Sequence, residues 1–229
     1  ARALVVAALA AGIPSGPTAR AQEPAGEQKT EAKPAAAKEA TPAPAVPAAP
    51  APAVSHRRLT LGGKPIAYTA TAATIDLKDA KGETDGRMFS VAYTADGADP
   101  KQRPVTFLFN GGPGSSTLWL HMGSFGPMRV ETPDAGPAPP APYRLIENSE
   151  SLLDKTDLVF IDAVGTGFSR IVGKGEPKNF YGTDQDVAAF AQFIERWLST
   201  HNRWNSPKFL LGESYGTTRG AALLSYLER

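Results

Sequence analysis

KFLLGESYGTTRGAALLSYL, Lys208 to Leu227, is the stretch on which the reading turns. Lys208 to Leu211 is an apolar run of strand length, and Gly212-Glu213-Ser214-Tyr215-Gly216 follows at once. Ala221, Leu224 and Leu227 then recur at helical spacing. Strand, Gly-flanked turn with Ser at its apex, then helix is the context of a nucleophile elbow. A Ser held in a strained turn needs neighbours without Cβ, so that strand and helix can approach closely. The helix start then aims backbone N–H groups at any anion that forms on the Ser. The same letters would also suit a Gly-rich turn whose Ser merely caps the helix.

Two further stretches bear on that choice. Pro104 to Phe109 (PVTFLF) reads as a buried strand and runs into Asn110-Gly111-Gly112-Pro113-Gly114-Ser115-Ser116. A Gly-rich loop after an earlier strand is where a serine hydrolase finds one oxyanion-hole donor, the other being the N–H after the nucleophile. Tyr215 supplies the N–H after the nucleophile, and Gly111 and Gly112 fit the other role, since no side chain blocks the N–H and Pro113 stiffens the loop. Asp157 to Ser169 (DLVFIDAVGTGFS) repeats the pattern, an apolar strand over Leu158 to Ile161 ending in a Gly-rich loop.

Together the three stretches resemble the serine carboxypeptidase family (peptidase family S10) of the α/β-hydrolase superfamily, from about Thr60 onward. Its signature regions are an NGGPG-x-SS loop, a D-x-P-x-G-x-G-F-S loop and GESYG, and the order agrees. The resemblance implies a serine-type carboxypeptidase, acting through an acyl-enzyme on peptides with a free C-terminal carboxylate. Ser214 is then the catalytic residue, Gly112 and Tyr215 form the oxyanion hole, and Asn110, Glu213 and Gly111 bind substrate. Glu213 must be protonated to sit beside a carboxylate, because like charges repel, so acid pH should favour activity. No cofactor and no metal are implied.

The departures are specific. The family's Trp two residues before Asn110 is Leu108, its second carboxylate-binding Glu falls near Ser124, the Pro of the third signature is missing from Asp162-Ala163-Val164-Gly165, and its usual Cys is Ser115. These keep open a serine esterase or acyltransferase on the same fold, or an inactive cell-envelope binding protein. In this superfamily the acid and His follow the Ser, yet His56, His121 and His201 all precede Ser214. The acid and base are therefore expected beyond the chain, and the chain alone should be inactive. His201 reads as a helix-end residue, His56 as exposed, and His121, near the oxyanion loop, as either a substrate-pocket residue or a packed or exposed one.

Composition frames the rest. The 229 residues carry a formal net charge of +1 and no Cys. Near-zero charge argues against an electrostatic nucleic-acid binder. Leu4 to Ile13 is an apolar run too short to span a bilayer. With Arg2 before it and Ala19-Arg20-Ala21 after, residues 1–21 read as a secretory signal whose start is missing. Residues 22–54, dominated by Ala and Pro, read as a disordered linker. The resemblance implies that residues 55–229 form the N-terminal part of the hydrolase domain. The protein is expected to be exported, periplasmic or extracellular, with no membrane span once processed, and lacking Cys it must draw stability from its core.

The expected fold is α/β: an antiparallel β lead-in, then a mainly parallel sheet with helices on both faces. Arg57 to Leu61, Ile66 to Ile75 and Arg87 to Tyr93 read as lead-in strands with turns at Gly62-Gly63 and Lys81 to Gly86. Thr183 or Asp184 should cap a helix whose stripe is Val187, Phe190, Ala191, Ile194, Trp197 and Leu198. Gly173-Lys174-Gly175 reads as a turn, and the sequence shows no phosphate loop with a Lys.

Overall fold

A computed structural model describes residues 6–9, 46–133 and 140–228. Among these residues lie ten strands: β1 (Val6–Leu9), β2 (Ala53–Leu61), β3 (Lys64–Lys78), β4 (Thr84–Ala95), β5 (Val105–Phe109), β6 (Met128–Val130), β7 (Leu145–Glu147), β8 (Asp157–Ile161), β9 (Arg170–Ile171) and β10 (Lys208–Glu213). The α-helices are α1 (Leu118–Leu120), continued by a π-helical turn His121–Phe125, then α2 (Thr183–Thr200) and α3 (Tyr215–Leu227).

The lead-in hairpins form where the turn chemistry allows. Gly62 and Gly63 take φ of +54° and +77°, the paired left-handed conformation that a two-residue hairpin needs. At the next turn the Asp79 carboxylate accepts from the Lys81 and Glu83 N–H groups. β2, β3 and β4 then pair antiparallel over long registers.

The main sheet runs β1-β10-β5-β8-β4-β3-β2, with β9 on the start of β4. Its β1/β10, β10/β5 and β5/β8 pairs are parallel. The β8/β4, β4/β3 and β3/β2 pairs are antiparallel. The sheet is thus α/β and mixed rather than mainly parallel, because the lead-in hairpin joins it through β4 instead of standing apart.

Helices on both faces were expected; the long ones share one face. β5 and β8 are buried along their whole length. Phe107, Phe109, Val159 and Ile161 pack under α2 and α3, with Phe190, Phe193, Ile194 and Trp197 of α2 and Leu223 of α3. The opposite face, carrying Leu108, Leu158 and Phe160, is covered by Leu120 and Phe125 of the helical turns and by Leu152 and Leu153. Short turns suffice there because the loop after β5 folds back over the sheet. Each buried Phe or Leu contributes about 1.5–3 kcal/mol.

α2 starts one residue earlier than the expected cap. Gly182 is the N-cap and makes no side-chain bond, while Asp184 and Asp186 lie in the first turn. There their charges complement the positive helix end without capping it.

The expected leader and linker lie largely outside the described residues. Val6–Leu9 pairs parallel with β10 at the sheet edge. The carbonyls of Pro47 and Ala48 accept from Arg87, itself paired with Asp76 at 2.5 Å. The folded part therefore reaches a few residues before position 55.

Parallel registry sets Gly212 beside Phe109 and Leu108 beside Phe160. The loops after β5, β8 and β10 consequently leave the same edge of the sheet. That edge, the C-terminal end of the parallel strands, is where open α/β sheets bind ligands.

Candidate active site

Ser214 stands between β10 and α3 with φ 56° and ψ −124°. This is a left-handed conformation for a residue with a side chain, and it costs about 1–3 kcal/mol. The neighbours explain why the turn holds. A Cβ on Gly212 would lie 2.1 Å from the Gly216 carbonyl oxygen, and one on Gly216 would lie 2.8 Å from the Phe109 oxygen. Thr217 donates its N–H and hydroxyl to the Ser214 carbonyl at 2.9 and 2.8 Å. A capping Ser would have extended backbone and bond its side chain to the helix start. Ser214 does neither, and it is exposed.

The loop after β5 lies directly on this turn. A Cβ on Gly111 would meet the Tyr215 nitrogen at 2.4 Å and the Glu213 oxygen at 2.7 Å, so only Gly lets the two backbones touch. Gly112 has φ +109° and is exposed at the loop surface.

Asn110 organises the loop and is 2% exposed. Its Oδ1 accepts from the Leu120 N–H at 3.0 Å, and its Nδ2 donates to Glu213 Oε2 at 3.0 Å. Its N–H donates to Thr117 Oγ1 and its carbonyl accepts from Arg219 Nη1 at 2.7 Å. The third loop is tied in through Asp162, whose carboxylate accepts from the Thr117 and Phe168 N–H groups. Burial raises the Asp162 pKa, against those two bonds, which lower it. Thr117 Oγ1 also donates to the Ile161 carbonyl.

Ser214, Glu213, Asn110 and Gly112 line one open cleft of about 420 Å³ together with Trp119 and Ser124. Gly111 is buried beneath the loop rather than in the cleft. Tyr215 lines a neighbouring cavity of about 490 Å³, on the side of Pro113, Gly114, Asp186 and Arg219. Sequence reasoning passed over Trp119 and Arg219. Trp119 is 70% exposed in a short helical turn, where a large aromatic has no packing reason to be. Arg219 interrupts a Gly- and Ala-rich helix beside the elbow, and a charge in such a place needs a partner.

No imidazole lines this cleft among the described residues. His121 stacks on Phe160 at 4.5 Å and shares a 2.7 Å hydrogen bond with the Tyr93 hydroxyl. Burial lowers its pKa to about 4. It also lines a separate, largely apolar cavity with Phe89, Phe160 and Phe168. Of the readings of His121, the packed one describes it, since the cavity it lines is not the cleft that holds Ser214. His201 follows α2, stacks on Trp197 and bonds the Trp197 carbonyl at 2.8 Å. His56 is exposed and bonds Thr69. Among the described residues no group of three or more His, Cys, Asp or Glu could hold a metal ion. No helix there is long and apolar enough to cross a membrane.

The family model described as serine carboxypeptidase matches residues 73–227. The chain is 27% identical over 136 residues to Serine carboxypeptidase-like 8 of Arabidopsis thaliana, covering 58% of this chain and 30% of that protein. It is 30% identical over 135 residues to Pheromone-processing carboxypeptidase kex1 of Talaromyces marneffei, covering 58% of this chain and 20% of that protein. Against Serine carboxypeptidase-like 45 of Arabidopsis thaliana it is 26% identical over 166 residues, 70% of this chain and 32% of that protein. The chain spans less than a third of the length of these relatives.

Proposed function

The chain belongs to the serine carboxypeptidase family, and on that premise we propose that the protein carrying it is an α/β-hydrolase that removes C-terminal residues from peptides. The observation that carries the reading is Ser214, exposed in a strained turn and sharing its cleft with the hydrogen-bonded pair Asn110 and Glu213. Ser214 Oγ attacks the last peptide carbonyl. The N–H groups of Gly112 and Tyr215 stabilise the oxyanion, and the leaving residue departs with its carboxylate held by Asn110 and Glu213. Water then releases the acyl group from Ser214. The base that takes the Ser214 proton, and the acid behind it, follow the nucleophile in the order of this superfamily. The leader-like residues 1–21 support export, to the periplasm or beyond the cell.

The test uses the full-length exported protein and an N-blocked peptide with a free C-terminus, followed by mass. Stepwise loss of C-terminal residues, faster in acid and absent in Ser214→Ala, is expected. An unchanged peptide overturns the reading.

Ser124 favours a second reading. It lines the cleft where the family pattern places a second carboxylate-binding Glu, so the grip on a free carboxylate is reduced. A serine esterase or acyltransferase on the same scaffold would turn over esters without releasing C-terminal residues.

A further inference from the structure

We propose that Arg219 is a positioning residue that holds the loop after β5 in register with the nucleophile turn; this rests on the proposed serine-hydrolase reading of Ser214. Arg219 lies five residues past Ser214 on α3 and is 1% exposed. Its Nε and Nη2 grip the Asp186 carboxylate of α2 at 2.6 and 3.2 Å. Its Nη1 donates to the Asn110 carbonyl at 2.7 Å. The guanidinium plane is bracketed by Phe190 at 4.5 Å, Tyr215 at 5.3 Å and Phe109 at 5.6 Å from the ring centroids. One side chain thereby joins the end of β5, the start of α2 and the elbow helix.

The Asn110 carbonyl is the last peptide oxygen before Gly111 and Gly112. Fixing it fixes the plane of the 110–111 peptide, and with it the direction in which the next N–H groups point. Gly111 rests on the Tyr215 nitrogen with no room for a Cβ. A small rotation of the loop therefore changes the distance between the two N–H groups that would face the oxyanion. Stability alone is a poor reason for such a residue, because a buried ion pair is commonly matched by apolar side chains of the same volume. A rigid fork with one arm on Asp186 and one on a loop carbonyl gives direction instead, which a Lys cannot reproduce.

Arg219, Asp186 and Tyr215 also line the open cavity of about 490 Å³ beside the loop. A small guanidinium can enter there when the side chain is shortened.

The experiment uses the full-length protein as wild type, Arg219→Lys, Arg219→Ala and Asp186→Asn. A fluorophosphonate reports the reactivity of Ser214 whatever the natural substrate, and peptide turnover gives kcat and KM. Arg219→Lys is expected to fold, to keep KM within about twofold, and to lose on the order of 10²-fold in kcat and in labelling rate. Ethylguanidinium should restore part of the labelling rate of Arg219→Ala and leave the wild type unchanged. Asp186→Asn, which keeps the Arg but loosens its anchor, should show a smaller loss in the same direction. Folded variants that label at the wild-type rate overturn the proposal. So does a loss that only tracks the folded fraction, with the folded remainder reacting normally. A wild type that labels but releases no C-terminal residue defeats the carboxypeptidase reading and leaves the Arg219 test intact. A wild type that does not label defeats both.

Discussion

Asn110 Nδ2 donates to Glu213 Oε2 at 3.0 Å, joining the ends of β5 and β10 inside the cleft that exposes Ser214. A substrate carboxylate bound there would meet the Glu213 carboxylate as a like charge unless the two share a proton. Glu213→Gln keeps the volume and the acceptor for Asn110, and adds a neutral donor. On the proposed reading, Glu213→Gln should lower KM at neutral pH by about tenfold for a peptide with a free C-terminus, because the substrate carboxylate then meets no like charge. For a C-terminally amidated peptide the substitution should leave KM unchanged. Measuring KM of both proteins for both peptides decides it, and equal values for the free-carboxylate peptide would exclude the pairing role.

The strain at Ser214 should be measurable apart from chemistry. Glycine accepts φ near +56° without steric penalty, whereas Ala keeps the Cβ that makes the turn costly. Both Ser214→Gly and Ser214→Ala remove the nucleophile. The Gly variant should nevertheless be the more stable by about 1 kcal/mol, the strain relief less the extra freedom of its unfolded chain. Urea unfolding of the two variants side by side gives the difference. A Gly variant less stable than the Ala variant by about 0.5–1 kcal/mol, the cost of its extra chain freedom alone, would mean that the turn stores no strain.

The sequence was most legible where one short stretch sets both the backbone and the chemistry. Gly212 and Gly216 announce the elbow because each faces another backbone at contact distance. Gly62-Gly63 announces the first hairpin for a similarly local reason. The apolar stripe of α2 named its buried face correctly. What periodicity could not supply was the identity of partners. It gave β4 and β8 as strands but not their antiparallel pairing, and it gave α2 and α3 as helices but not their shared face. Arg219 was invisible for the same reason, since its partners Asp186 and Asn110 lie 33 and 109 positions away.

A second distant cluster governs stability at the opposite end of the parallel strands. Asp157, at the start of β8, is 2% exposed and takes Arg103 Nε on one oxygen and Arg203 Nη1 on the other, each at 2.6 Å. It also accepts from the Ala95 N–H at 2.9 Å. These bonds tie β4, the approach to β5 and the approach to β10 into one knot. Asp157→Asn would leave two guanidinium groups facing each other with no anion between them. Breaking a buried pair in this way costs about 3–5 kcal/mol, so the variant should unfold at much lower urea while the contacts around Ser214 stay in place. A change under 1 kcal/mol (~) would show that water or relaxation takes over the role of Asp157.

His121 should give the domain a pH dependence of stability. Its pKa falls from 6.5 to about 4 because burial disfavours the charged ring. The neutral ring can accept the Tyr93 hydroxyl proton at Nε2, and a charged ring cannot. Burial also raises the Tyr93 pKa, so that hydroxyl keeps its proton. Between pH 6.5 and about 4 the unfolded chain holds a proton on this residue and the native state does not. Stability therefore increases with pH across the window, is fully present above it, and is lost as the pH falls through it. The full effect is on the order of 3 kcal/mol. Carboxylates titrate nearby, so the absolute slope of the wild type is not diagnostic, but its difference from His121→Gln is. Gln keeps an acceptor for Tyr93 and carries no titrating group. The wild type should be the more stable at neutral pH, through its stacking on Phe160, and the two urea midpoints should converge as acid is added. Curves that stay parallel would mean that His121 is solvated enough to take up its proton in the folded state.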